Sequence, residues 1–148
     1  MDTHPDYKEL LGLFNERRVE YVIVGAHALA LYGVPRFTGD IDILVRPTQQ
    51  NGESIIKALE EFGFSFTNLS ATDLTDPDKV IQLGYPPVRI DLMTSISGLT
   101  WEQVDAGKTS EYFGDIRVNI IGRNELILNK RASGRTKDLA DLESLGEK

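Results

Sequence analysis

The chain has 148 residues, 41% of them apolar and none of them cysteine. That length suits one compact domain with its own core, and the missing thiols exclude disulfides, thiolate zinc sites and a cysteine nucleophile. A formal charge of −7 disfavours extensive sequence-independent binding along a nucleic acid, which a basic face supports.

The opening Met1-Asp2-Thr3-His4-Pro5-Asp6 is acidic and polar and does not read as a signal peptide. From Pro5 to Arg18, Tyr7, Leu10, Leu11, Leu13 and Phe14 recur at helical spacing, which predicts an amphipathic helix. Tyr21-Val22-Ile23-Val24 is an unbroken apolar run and predicts a strand buried on both faces. Ala26 to Tyr32 predicts a short helix ending at Gly33, and Pro35 and Gly39 mark a loop. Asp40 to Val45 alternates, with Ile41, Ile43 and Val45 on one face and Asp40, Asp42 and Leu44 on the other. Gln49 to Phe62 predicts a helix closed by Gly63.

Phe64 to Leu69 and Val80 to Tyr85 are expected to be strands, with a polar turn around Asp76-Pro77-Asp78 between them. Val88 to Met93 alternates again, placing Arg89, Asp91 and Met93 opposite Val88, Ile90 and Leu92. Leu99 to Ala106 is expected to be helical and Asp115 to Ile121 a strand. Asn124 to Ala132 and Thr136 to Leu145 predict two helices broken at Ser133-Gly134. No stretch approaches the ~20 apolar residues of a membrane-spanning helix, so a cytoplasmic protein is the expectation. The sum is an α/β (α+β) fold, a mixed sheet flanked by helices. It is expected to be a single domain over 1–148, with 123–148 a helical segment packed on it.

Thr38-Gly39-Asp40-Ile41-Asp42 is the most informative stretch. Two carboxylates at i and i+2 on a strand share one face and repel unless a cation lies between them. Such hard oxygen ligands suit Mg²⁺ or Mn²⁺, which keep waters and accept substrate phosphates as further ligands. An isolated Asp-x-Asp reads more simply as two solvated residues on an edge strand. Three features favour the metal: the strand is otherwise apolar, Asp91 adds a third acid on another alternating strand, and a glycine turn lies upstream. That turn, Val24-Gly25-Ala26-His27-Ala28, leads a strand into a helix, where free backbone N–H groups suit phosphate. Glycine there also has a plain reading, its φ/ψ freedom. His27 reads as a packing residue, and Trp101 and Tyr85 as core or rim.

Together these parts resemble the DNA polymerase β-like nucleotidyltransferase superfamily, whose fold is a minimal polymerase β palm. The branch most similar is the abortive-infection type IV toxin-like nucleotidyltransferases. The likeness spans roughly Tyr21 to Leu145 and runs through Val24-Gly25-Ala26-His27-Ala28, Arg36-Phe37-Thr38-Gly39-Asp40-Ile41-Asp42, Asp91, and Lys130-Arg131-Ala132-Ser133-Gly134-Arg135-Thr136-Lys137-Asp138-Leu139-Ala140-Asp141-Leu142. It departs at Ala26, where Ser or Gly is usual.

The resemblance implies transfer of a nucleoside monophosphate from a nucleoside triphosphate to an acceptor hydroxyl on RNA, protein or a small molecule. It implies two metal ions on Asp40, Asp42 and Asp91, with Gly25, Ala26, Arg36, Thr38 and Lys130 toward the nucleotide. It also implies a toxin–antitoxin or phage-defence setting, with a cognate protein partner. A non-catalytic nucleotide-binding or antitoxin-like protein on the same fold is the alternative. A domain that binds a divalent cation alone is a third reading. The three intact acids argue for activity.

Overall fold

A computed structural model describes residues 4–34, 39–64, 69–85 and 88–147. In chain order its helices are α1 (Pro5–Glu16), α2 (Gly25–Leu31), α3 (Gln49–Phe62), α4 (Trp101–Gly107), α5 (Arg123–Ser133) and α6 (Thr136–Ser144). Its strands are β1 (Tyr21–Val24), β2 (Asp40–Val45), β3 (Val80–Tyr85), β4 (Val88–Met93), β5 (Thr109–Phe113) and β6 (Ile116–Ile120). This is the expected mixed α/β architecture. The strands form one sheet in the order β3-β4-β2-β1-β6-β5. β2 runs parallel to β4 and β1 to β6, while β1–β2, β3–β4 and β5–β6 are antiparallel.

β1 is buried at all four positions, as an uninterrupted apolar strand between two neighbours should be. α1 and α3 pack on each other, and α1 also touches β4 and β6. Tyr7, Leu10, Leu11 and Phe14 are the buried stripe of α1, the face its spacing predicts. Thr48 caps α3 and Gly63, at φ 107°, ends it. Buried Asn51 ties α3 to the sheet: its Oδ1 accepts from the Glu20 N–H at 2.7 Å, and its Nδ2 donates to the Glu20 and Arg46 carbonyls.

Two elements differ from expectation. β5 was not foreseen; it forms a hairpin with β6 around Gly114-Asp115, pairing Phe113 with Ile116. It is an edge strand with just one buried residue, so its sequence carries little apolar signal. A 3-10 turn at Ala71–Thr75 is the other, its Ser70 and Asp73 capping each other. The strand expected over Phe64 to Leu69 falls largely outside the described residues, and Phe64 and Leu69 themselves are not in a strand. Among the described residues, no helix is long and apolar enough to cross a membrane.

Candidate functional site

Period-two alternation puts Asp40 and Asp42 on one face of β2, and the parallel register sets Asp42 beside Asp91 and Asp40 beside Arg89. One oxygen from each of Asp40, Asp42 and Asp91 lies within 4.8 Å of the others. The three acids expected to converge do so. Asp91 is buried, and Asp40 and Asp42 are partly exposed. Asp91 Oδ1 has no hydrogen-bond partner among the described residues.

Among the described residues, Arg89 places a cation inside this cluster. Its Nη2 lies 2.6 Å from Asp40 Oδ2 and 3.1 Å from Asp91 Oδ2. Hydrogen bonding to Asp91 first, with the charges of both acids, holds the guanidinium pKa above its ordinary value. Arg89 was not singled out from the sequence, although its place two residues before Asp91 on the same face was the available signal.

Asp42 is the strained member. Burial first, then the charges of Asp40 and Asp91, push its pKa from the ordinary 3.8 up to about 6, against the opposing pull of Arg89 and Lys137. A carboxyl raised on folding keeps its proton longer in the native state. Its contribution to stability is therefore greatest below pH 3.8 and is lost as pH rises toward 6. In chelator, urea unfolding of Asp42→Asn should remove this loss, so that the variant gains ~2–3 kcal/mol on the parent between pH 4 and 7. A parent-to-variant difference flat across that range would show that Asp42 does not titrate there.

Gly25 follows β1, whose last residue, Val24, pairs with Asp42. It has φ 72°, and a Cβ there would collide with Asp42 Oδ2. Glycine at this turn is thus required both by backbone conformation and by the closeness of the acid. Gly25 and Ala26 line the same cleft as the acids, a cavity of about 800 Å³. Arg36 and Thr38, expected to face phosphate, lie outside the described residues.

α5, α6 and the break between them also line this cleft, through Lys130, Arg135 and Lys137. Lys130 reaches the cleft as expected, but its ammonium is already held, 3.2 Å from Asp138 and 3.1 Å from Asp141. All three side chains are at least nine-tenths buried. Burial pulls Asp138 upward, yet hydrogen bonds from Arg135 and Lys130 outweigh it and hold its carboxyl below the usual range. Arg131 pairs with Glu147 and lines a separate depression. Val80, Met93 and Ile96 add an apolar side to the main cleft. His27 is buried with its ring against Tyr7 and Phe113, and Trp101 is core.

A crystal structure of a protein from Thermotoga maritima, described as a candidate nucleotidyltransferase, has a similar fold. The two share 17% identity over 98% of this chain and 93% of that one, with a TM-score of 0.62. No curated protein matches this chain. Residues 3–148 match the family described as nucleotidyl transferase of unknown function (DUF2204), and the chain belongs to that family.

Proposed function

We propose that the protein moves a nucleoside monophosphate from a nucleoside triphosphate to an acceptor hydroxyl, releasing pyrophosphate. Asp40, Asp42 and Asp91 would hold Mg²⁺ or Mn²⁺ for this reaction. The observation that carries the reading is Asp91 Oδ1, a buried carboxylate oxygen beside two further acids and with no partner among the described residues. A cation would complete it, and an all-carboxylate donor set suits these hard ions. When bound, such ions lower the pKa of an attacking hydroxyl and stabilise charge on the leaving pyrophosphate.

The chain's own task is positioning and charge stabilisation. The Gly25-Ala26 turn, free of bulk beside Asp42, would receive the triphosphate. Lys137 and Arg135, which line the same cleft, would balance its charge, since both interact electrostatically with Asp42. Lys130, gripped by Asp138 and Asp141, would stiffen that lining and present what remains of its charge to the cleft. Arg36 and Thr38 remain part of the proposed phosphate site. The net charge of −7 favours an acceptor that offers a single hydroxyl, on RNA, protein or a small molecule, over a tracked duplex. A toxin–antitoxin or phage-defence role with a cognate partner belongs to the same proposal.

The test is incubation with each α-labelled nucleoside triphosphate, Mn²⁺ and whole-cell extract. Label is expected on an acceptor, with pyrophosphate released. Nucleotide binding with no label on any acceptor would favour the non-catalytic alternative.

A further inference from the structure

Two polar atoms of the acid cluster, Asp91 Oδ1 and Arg89 Nε, are buried with no hydrogen-bond partner among the described residues. Both belong to the same ion-paired group. An arginine that serves as a structural partner usually meets one carboxylate with two nitrogens, fork to fork. Here a single nitrogen, Nη2, bridges two different carboxylates, and the neighbouring Nε has no partner among the described residues. Arg89 thus acts as one cationic point between acids, the position a divalent cation would compete for.

The two deficits are complementary. Asp91 Oδ1 lacks a cation or donor, and Arg89 Nε lacks an acceptor. Water could satisfy either atom, but divalent cations on the three acids, one of them carrying a phosphate, would satisfy both. The backbone of Arg89 is anchored, since its carbonyl accepts from the Tyr7 hydroxyl at 3.2 Å. Its side chain is 31% exposed and lines the cleft, so the head can leave the acids without entering the core.

Resting on the nucleotidyl-transfer reading, we propose that Arg89 is an exchangeable counter-cation. A divalent cation displaces its guanidinium from Asp40 and Asp91, and the freed guanidinium grips a phosphate oxygen of the nucleoside triphosphate. The cation alone must compete with Arg89 and binds weakly. The cation with a polyphosphate gives Arg89 a new acceptor and binds well. The two ligands are therefore coupled through one side chain, and the coupling is reciprocal.

The experiment uses probes without a base: Mn²⁺ alone, followed by the paramagnetic resonance of the free ion, and Mn²⁺–tripolyphosphate, followed by calorimetry. Arg89→Met should bind Mn²⁺ alone at least about tenfold more tightly, and Mn²⁺–tripolyphosphate at least about tenfold more weakly. A merely structural role would move both affinities the same way. Arg89→Lys keeps a counter-charge and guards against misfolding of the Met variant. It should leave Mn²⁺ affinity near that of the parent while weakening the tripolyphosphate complex. Equal or weaker Mn²⁺ binding by a folded Arg89→Met overturns the inference, as does unchanged tripolyphosphate binding by both variants. If the parent binds Mn²⁺ through Asp42 and the Arg89 variants behave like it, the inference about Arg89 fails alone. If neither parent nor variant binds Mn²⁺, the nucleotidyl-transfer reading fails with it.

Discussion

Lys130→Ala is expected to destabilise the protein by about 3–5 kcal/mol, the usual cost of removing one partner of a buried ion pair. The ammonium lies between Asp138 and Asp141, whose side chains are 0% and 6% exposed. Without it, Asp138 keeps Arg135, whose Nε lies 2.7 Å away, but Asp141 loses its lysine in a site with little solvent. Urea unfolding at neutral pH measures the loss. Adding Asp141→Asn to Lys130→Met should recover much of it, because one buried charge then disappears with the other. A loss under ~1 kcal/mol would place Lys130 with surface pairs, whose contribution is of that size. The family resemblance places Lys130 toward the nucleotide and by itself implies no cost to the fold. Burial changes that expectation, so any phosphate role of Lys130 is better measured in the compensated variant than in the single one.

Those lysine contacts illustrate what sequence spacing conveys and what it omits. Along a helix, neighbours at i,i+4 are legible, and Lys137 with Asp141 is the pair that rule suggests. Asp141 instead meets Lys130 from α5, across the break at Gly134, where φ is 63°. The angle between two helices is a tertiary property, and nothing local encodes it. The acids were easier. Period-two alternation sorts Asp40, Asp42 and Asp91 onto strand faces before any fold is known. Which residue of β2 meets which of β4 was not legible, because a parallel pairing is made across a long crossover rather than by a tight turn. That register pairs Asp40 with Arg89 and brings the guanidinium into the cluster. β5 escaped for a different reason: Tyr112 is 64% exposed and the strand has a neighbour on one side only, so burial imposes almost no pattern on it.

Asp91→Asn should lower nucleotidyl transfer by at least ~10²-fold, the scale of losing one preorganised electrostatic group, while nucleotide binding stays within about threefold of the parent. In the proposed reaction Asp40 and Asp42, next to the Gly25 turn, would hold the ion that accompanies the triphosphate. Asp91, buried on β4, would serve an ion at the acceptor. An interaction needed chiefly in the transition state lowers kcat and kcat/KM together and leaves ground-state affinity in place. The substitution is nearly isosteric, and the amide oxygen can still accept from Arg89, so the fold should survive. Asp42→Asn supplies the contrast, since it removes an acid at the nucleotide's own ion and should weaken binding as well as transfer. Single-turnover transfer and equilibrium nucleotide binding, measured on both variants, separate the two roles. Equal loss of binding in both would mean that the three acids hold the nucleotide as one unit, with no division between donor and acceptor sides. Undiminished transfer in Asp91→Asn would remove that residue from the reaction, and its unpartnered oxygen would then need another occupant.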